Sequence, residues 1–186
     1  MQVIQVSGHA EQTINKSRFI AVAEHCVTER DVALCLRKLA SAHPGAHHLA
    51  YAFRIKTTHG IVQRFSDAGE PSGTAGKPIL QFLDGRELIN VCVGVIRYYG
   101  GVNLGTGGLA RAYGGTGKMA LDAAKIVPYV EMQQIKLVID YKELDTLTRD
   151  LGKLNGQIVD KGFAERVTVL VSLPVENARE ILAKYS

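Results

Sequence analysis

Residues 89–96, INVCVGVI, form a nearly unbroken apolar run. A run this short and this rich in valine and isoleucine reads as a β-strand. Successive side chains of a strand point to opposite faces, so a strand that is apolar at almost every position must be covered on both. The chain is therefore expected to build a layered core of helices and sheet around this segment.

The residues after the run narrow the expectation further. Residues 97–125, RYYGGVNLGTGGLARAYGGTGKMALDAAK, read as a glycine loop leading into a helix, with Leu109, Ala112, Tyr113, Ala120 and Leu121 inward and Arg111, Lys118 and Lys125 on the opposite face. Of 19 glycines in the chain, 13 fall in residues 65–117. No acidic residue lies between Glu87 and Asp122, a stretch that carries Arg97, Arg111 and Lys118. Charge divides the same way: 14 basic against nine acidic residues give +5 for residues 1–128, whereas eight against nine give −1 for residues 129–186. The basic, glycine-rich surface belongs to the first part of the chain.

The rest of that part is ordered by local signals. GHAEQTIN and SRFIAVAEHC (17–26) pair through an Asn15-Lys16 turn. Thr28 with Asp31 marks a helix start, and Val32, Cys35, Leu36 and Leu39 recur at helical spacing until Pro44 and Gly45 end it. Residues 49–56 alternate as a half-buried strand, and IVQRF returns after the Gly60 turn. SDAGEPSGTAGKP (66–78) reads as a long structured loop ending in a short helix through Ile79, Leu80 and Phe82. After Pro128 the order becomes β-α-β-β-α: QQIKLVID, a helix capped by Asp140 and Glu143 with a Leu144, Leu147, Leu151 and Leu154 stripe, QIVD, RVTVLVSL and a last helix after Pro174. This order is expected for a ferredoxin-like unit lacking its closing strand, either absent, which leaves a sheet edge exposed, or truncated.

Composition bounds the class. With 46% hydrophobic and 22% charged residues, disorder is excluded as the dominant state. No apolar run approaches the ~18 to 20 residues that span a bilayer, and the start lacks the basic and then apolar regions of a signal peptide. A cytoplasmic protein with no membrane partner is the expectation. Cys26, Cys35 and Cys92 have no C-x-x-C spacing and read as buried core thiols.

Several motifs are weighed for chemistry. GTGGLA (105–110) matches G-x-G-x-x-A in letters but lacks the second βαβ half and the acid at a second strand end; Gly117-Lys118 is followed by Met119 where a phosphate loop needs Ser or Thr. His43, His47 and His48 straddle Pro44 and Gly45 and cannot form a helical metal pair, so no metal site and no cofactor are expected. Successive N–H groups leading into a helix N-terminus can cradle a phosphate, and tyrosines beside it (Tyr98, Tyr99, Tyr113) can stack bases. Asp67 and Glu70 are the carboxylates placed for acid/base work. Phosphate or nucleic-acid binding, a purely structural use of the glycines, and a nucleotide-dependent enzyme all stay open.

KSRFIA (16–21), HHLAYAFR (47–54), FSDAGEPSGTAGKPIL (65–80) and RYYGGVNLGTGGLARAYG (97–114) together resemble the IMPACT family, including its bacterial YigZ-like members. The resemblance implies an α+β chain of two domains. Residues 1–128 would have the βαβ-containing fold shared with a small-subunit ribosomal protein, GHMP kinases and domain IV of elongation factor G. Residues 129–186 would be ferredoxin-like, similar to domain V of that factor. The eukaryotic relatives regulate translation through a stress-kinase pathway, and the resemblance implies nucleic-acid or ribosome binding for the bacterial ones, with no established reaction. The N-terminal domain through which the eukaryotic relatives find their partner is not matched here, so that contact is not carried over. On the matching motifs, Ser66, Asp67, Glu70, Gly73, Thr74, Gly76 and Lys77 would form one wall of a shared surface; Arg97, Tyr98, Gly100, Gly101, Gly105, Thr106, Gly107, Gly108 and Arg111 would form the other, with Lys118 on the basic face behind. The expected function is RNA or ribosome binding in translation control through this face, with a protein-interaction module as a further alternative.

Overall fold

Two positive-φ residues, Asn15 (44°) and Lys16 (67°), turn β2 (Gly8–Ile14) back on β3 (Ser17–His25) as a tight hairpin; ahead of them lies β1 (Gln2–Val6). The computed structural model describes residues 1–186, which divide into two compact units, Met1–Tyr129 and Val130–Ser186.

In the first unit, α1 (Glu29–Ala42) starts at a complete capping box between Thr28 and Asp31. β4 (His48–Thr57) and β5 (Gly60–Ser66) form a second hairpin, α2 (Gly76–Gly85) follows the long loop, and β6 (Val91–Tyr98) leads through a six-residue loop into α3 (Gly105–Ala123). The five strands lie in the order β2-β3-β6-β4-β5, each antiparallel to its neighbours. Both β3 and β4 are antiparallel to β6, so β3-α1-β4 is a parallel βαβ crossover with β6 inserted between its strands. The apolar run is the central strand, buried from Val91 to Arg97.

Two hydrophobic clusters cover the two faces. Phe19, Ala21, Ala23, Ala50, Ala52, Val91, Val93 and Val95 pack under α2 and α3 with Ile79, Leu83, Tyr113 and Leu121. Val22, Cys26, Phe53, Ile55 and Cys92 pack under α1 with Val32 and Cys35. Small residues on the first face let the helices lie close. A Cβ at Gly114 of α3 would stand 3.1 Å from Pro78 Cβ, tighter than ordinary packing allows.

Two sequence expectations are corrected at α3. The helix begins at Gly105, so GTGG is its first turn and not part of the loop before it. It ends at Ala123, and Lys125 leaves the helix face expected for it to join β7 (Lys125–Pro128), paired antiparallel with β1. The β-branched Ile126 and Val127 favour extended backbone, and β1 supplies their partner; neither residue 1–7 nor residue 126 offered a turn or period long enough to reveal this pairing.

The second unit runs β8 (Met132–Ile139), α4 (Leu144–Lys153), β9 (Gln157–Phe163), β10 (Val167–Pro174) and α5 (Ala178–Tyr185), with 3₁₀ turns at Tyr141–Glu143 and Val175–Asn177. Its sheet order is β8-β10-β9, all antiparallel. The Asp140–Glu143 capping box is present and opens the 3₁₀ turn ahead of α4. Leu147, Leu151, Val167, Val169, Val171, Leu173 and Ile181 fill the core.

Candidate functional site

Alternation along β6 decides what faces what. Arg97 continues the Val91-Val93-Val95 row on the α2/α3 face, while Tyr98 falls on the other. Across the sheet, the register partners of Arg97 are Phe19 on β3 and His48 on β4. Three strands and the loop before α2 thus meet at one end of the sheet.

The loop supplies two carboxylates with different tasks. Asp67 is a cap: its side chain accepts from the backbone amides of Gly73 (2.8 Å), Ala75 (3.1 Å) and Gly76 (2.9 Å), the residues that lead into α2. Burial would raise its pKa, but these amides with that of Lys77 outweigh it and hold the carboxyl below the usual aspartate range. Gly76 is required by space, since a Cβ there would lie 2.4 Å from the Ser66 carbonyl oxygen. Thr74 donates to the Pro71 carbonyl (2.5 Å), and Ser66 Oγ accepts from the Ala68 amide (3.2 Å), so the loop is bonded internally.

Glu70 turns inward instead. Its Oε1 accepts from Arg97 Nη1 at 2.7 Å and from the Tyr113 hydroxyl at 2.9 Å, and His48 Nε2 lies 3.2 Å away. The Glu70 and Arg97 side chains are only 4% and 5% exposed. Arg97 also reaches Ser17 Oγ at 3.3 Å and lies 5.1 Å from the Tyr99 ring centre and 5.7 Å from that of Phe19. His48 Nδ1 bonds the Ala68 carbonyl at 2.8 Å, which ties the ring to the same loop. Burial first, and then the neighbouring carboxylate, push Tyr113 far above the ordinary tyrosine range, so it remains a hydroxyl donor.

Above this network is a cleft of about 330 Å³ lined by Glu70, Pro71, Arg97, Tyr99, Asn103, Leu104, Gly105, Thr106 and Leu109. The exposed first turn of α3 forms its rim, and the leading amides of a helix have no intrahelical acceptor. Tyr99, exposed, donates from its hydroxyl to Asn103 at 2.9 Å and so props the loop between β6 and α3. Gly100 packs on the β2–β3 turn, where a Cβ would come within 2.1 Å of the Lys16 carbonyl oxygen. On the other side of the same helical turn, Gly108 and Arg111 line a second cleft of about 440 Å³ with Gln12 and Asn15. The Arg111 guanidinium folds back toward Gly107, whose Cβ position lies 3.2 Å from Nη1.

The expected residues are therefore only partly brought together. Glu70, Arg97, Gly105 and Thr106 line the first cleft, Gly108 and Arg111 the second, and Gly107 lies beside Arg111. Lys77 is exposed on the first turn of α2 and lines neither. Lys118, thirteen residues along α3 from Gly105, is roughly 20 Å distant and pairs with Asp122 at 2.9 Å, which Arg86 also holds at 2.7 Å. Tyr98 bonds His43 at 2.9 Å on the α1 side of the sheet. Sequence reasoning singled out neither His48 nor Asn103 as a site residue. The period-2 rule applied to β6 would have put Tyr98 on the face opposite Arg97, whereas the pairing of His48 with Arg97 is set by strand register, which no local signal reveals. No group of three or more His, Cys, Asp or Glu side chains is arranged to hold a metal ion.

The Impact N-terminal domain model matches residues 15–121, more than half of the chain and all of the residues lining the first cleft. The chain belongs to the IMPACT family. It is 38% identical to an IMPACT family member of Haemophilus influenzae over 88% of this chain and 80% of that protein. Identity to the IMPACT family member YigZ of Escherichia coli is 34% over 93% of this chain and 85% of the relative. A crystal structure of a hypothetical protein superposes with a TM-score of 0.72 at 32% identity, covering 98% of this chain and 89% of the other. The mixed α/β architecture is thus shared with a solved structure over nearly the whole chain. No helix of this IMPACT protein is long and apolar enough to cross a membrane.

Proposed function

We propose that this IMPACT protein acts in translation control by binding RNA, free or on the ribosome, at the N-terminal end of α3. The observation that carries the proposal is the exposed first turn of a 19-residue helix set at the rim of a cleft, inside a stretch free of acidic residues from Leu88 to Leu121. Phosphate would be held by the amides of Gly105, Thr106 and Gly107, which precede the first intrahelical bond, aided by the positive end of the helix dipole and by Arg111. Tyr99 is the exposed ring at this cleft, suited to stacking on a base. Arg97 is committed to Glu70, so its part is to hold the cleft floor, and the free cation of the site is Arg111. Lys77 and Lys118 extend the basic surface beyond the clefts.

The reading as a nucleotide-dependent enzyme finds less support. Asp67 is saturated by backbone amides, and Glu70 is engaged by Arg97 and Tyr113, so neither carboxylate is unengaged at the cleft. The test is RNA affinity across salt for single-stranded and structured RNA, with Arg111→Glu beside the parent, and cosedimentation with ribosomes in parallel. Affinity should fall steeply with salt, and the variant should lose affinity and salt slope together. Equal affinity and slope in the two proteins would overturn the proposal.

A further inference from the structure

The three thiols of this chain, far apart in sequence, converge on the α1 side of the first unit's sheet. Glu24 on β3 lies directly across from Cys92 on β6. Cys26, whose amide donates to the Asn90 carbonyl at 2.9 Å, continues the row of Val22 and Glu24, so it is a diagonal neighbour of Cys92 on the same face. Helix α1 lies over this patch and lowers Cys35 onto it. All three cysteines are free and buried in the cluster with Val32 and Phe53.

Buried cysteines are ordinarily inert small hydrophobes. Two features set this cluster apart. Cys35 is at the surface of a cavity of about 200 Å³ between α1 and the β2–β3 hairpin, with Glu24, Lys38 and His43 among the other lining side chains. A small molecule can thus reach one of the three sulfurs while the other two lie behind it. The thiols also act on one another: Cys35 first, and then Cys92, hold Cys26 below the ordinary thiol range, and Cys26 pushes Cys35 up in turn. Glu24 lines the same cavity as Cys35, and burial first, then the neighbouring thiol, raise its carboxyl above the usual range, toward one that can take and return a proton.

We propose that Cys35 and Cys26 form an oxidation site for small hydroperoxides, with Cys35 reacting at the cavity and Cys26 resolving the product as a Cys26–Cys35 disulfide. In the first step Glu24 accepts the Cys35 proton, and the Cys35 sulfur attacks the terminal peroxide oxygen. The O–O bond breaks, and the departing oxygen takes the proton from Glu24 and leaves as water or an alcohol. Cys35 is left as a sulfenic acid. The Cys26 thiolate then attacks the Cys35 sulfur, the S–O bond breaks, and hydroxide leaves as water with the proton that Cys26 had given up. Two thiols lose two electrons in all, and one hydroperoxide gains them. The bond would fasten α1 to the end of β3. Cys92, central and without access to the cavity, stays reduced.

The experiment treats the full chain with hydrogen peroxide under native conditions, alkylates the remaining thiols after unfolding, and maps the peptides without reductant. The parent should lose two hydrogens, keep one alkylated thiol at Cys92, yield a peptide cross-linked between Cys26 and Cys35, and regain all three thiols with dithiothreitol. In Cys26→Ala the cross-link should vanish and Cys35 should react with dimedone, the reagent for sulfenic acid. Three alkylated thiols after treatment of the folded parent would overturn the proposal, as would a cross-link through Cys92 or between two chains. Because the map is made on the parent, the result does not depend on the variant folding.

Discussion

The two units of the molecule reach their folds by different means. Every buried polar or charged residue, Ser17, Arg54, Thr74, Asn90, Arg97 and Thr116, lies in the first. The core of the second is aliphatic apart from Tyr185, whose hydroxyl reaches Asp150 at its edge (2.6 Å). Burying a charge is costly unless it is paired and hydrogen-bonded, so the first unit carries an expense that the second avoids. What it gains is position: Arg97, Glu70, His48 and Tyr113 fix the loop before α2 against the end of β6, and that junction forms the floor of the cleft. The glycine-rich unit adds a buried polar junction to its two apolar cores, whereas the small unit has an apolar core alone.

This contrast is tested most directly at the buried ion pair. Arg97→Ala takes the guanidinium from the buried Glu70 carboxylate, leaving it to Tyr113 and His48, and should cost ~3 kcal/mol in urea unfolding. Pairing it with Glu70→Leu should restore much of the loss, and an additive double variant would show that the two residues do not act as a unit. In the second unit Leu151→Ala empties fully buried volume and should cost ~2 to 5 kcal/mol. Hydrogen exchange should locate that loss in residues 130–186 with the first unit protected as before; equal loosening of both would sink the description of two separate cores.

A smaller effect is expected from Asp67. Its folded pKa is depressed, so its contribution is complete above the unfolded value of about 3.9 and drains away as pH falls through the folded value. Asp67→Asn should therefore flatten the acid side of the stability profile of the first unit; an unchanged profile below about pH 4 would remove the cap from the account. The smallest is Thr28→Ala at the start of α1, worth ~1 kcal/mol, with a capping box on both partners to lose. Thermal unfolding should register it in the first unit alone.

Elements whose signal is local were readable from the chain. The Asn15-Lys16 turn and the Thr28–Asp31 cap rest on contacts or dihedrals within a few residues, where side-chain chemistry determines conformation directly, and the Leu stripe of α4 and the apolar β6 show in the periodicity of their own residues. The pairing of β1 with β7 was not readable, because a strand of four or five residues gains its hydrogen bonds from a partner more than a hundred residues away. The start of α3 was also misplaced. Three glycines in its first turn argue against a helix by propensity, and only the packing of Leu109, Ala112 and Tyr113 on the sheet overrides them.

For the site the same division holds. The sequence shows the concentration of glycine and the absence of acids around residues 97–114, while a surface shared by residues 65–80 and 97–114 is what the family resemblance implies. Which side chains meet there depends on tertiary structure. The pleat of β6 turns Arg97 and Tyr98 to opposite faces, the register with β4 sets His48 beside Arg97, and the Asp67 cap frees Glu70 to turn inward. Tertiary packing also gathers Cys26, Cys35 and Cys92 from a strand end, a helix and a central strand into one cluster. The reason is the same throughout: local chemistry determines turns, caps and periods, but strand register and helix docking decide which distant charges and thiols are neighbours.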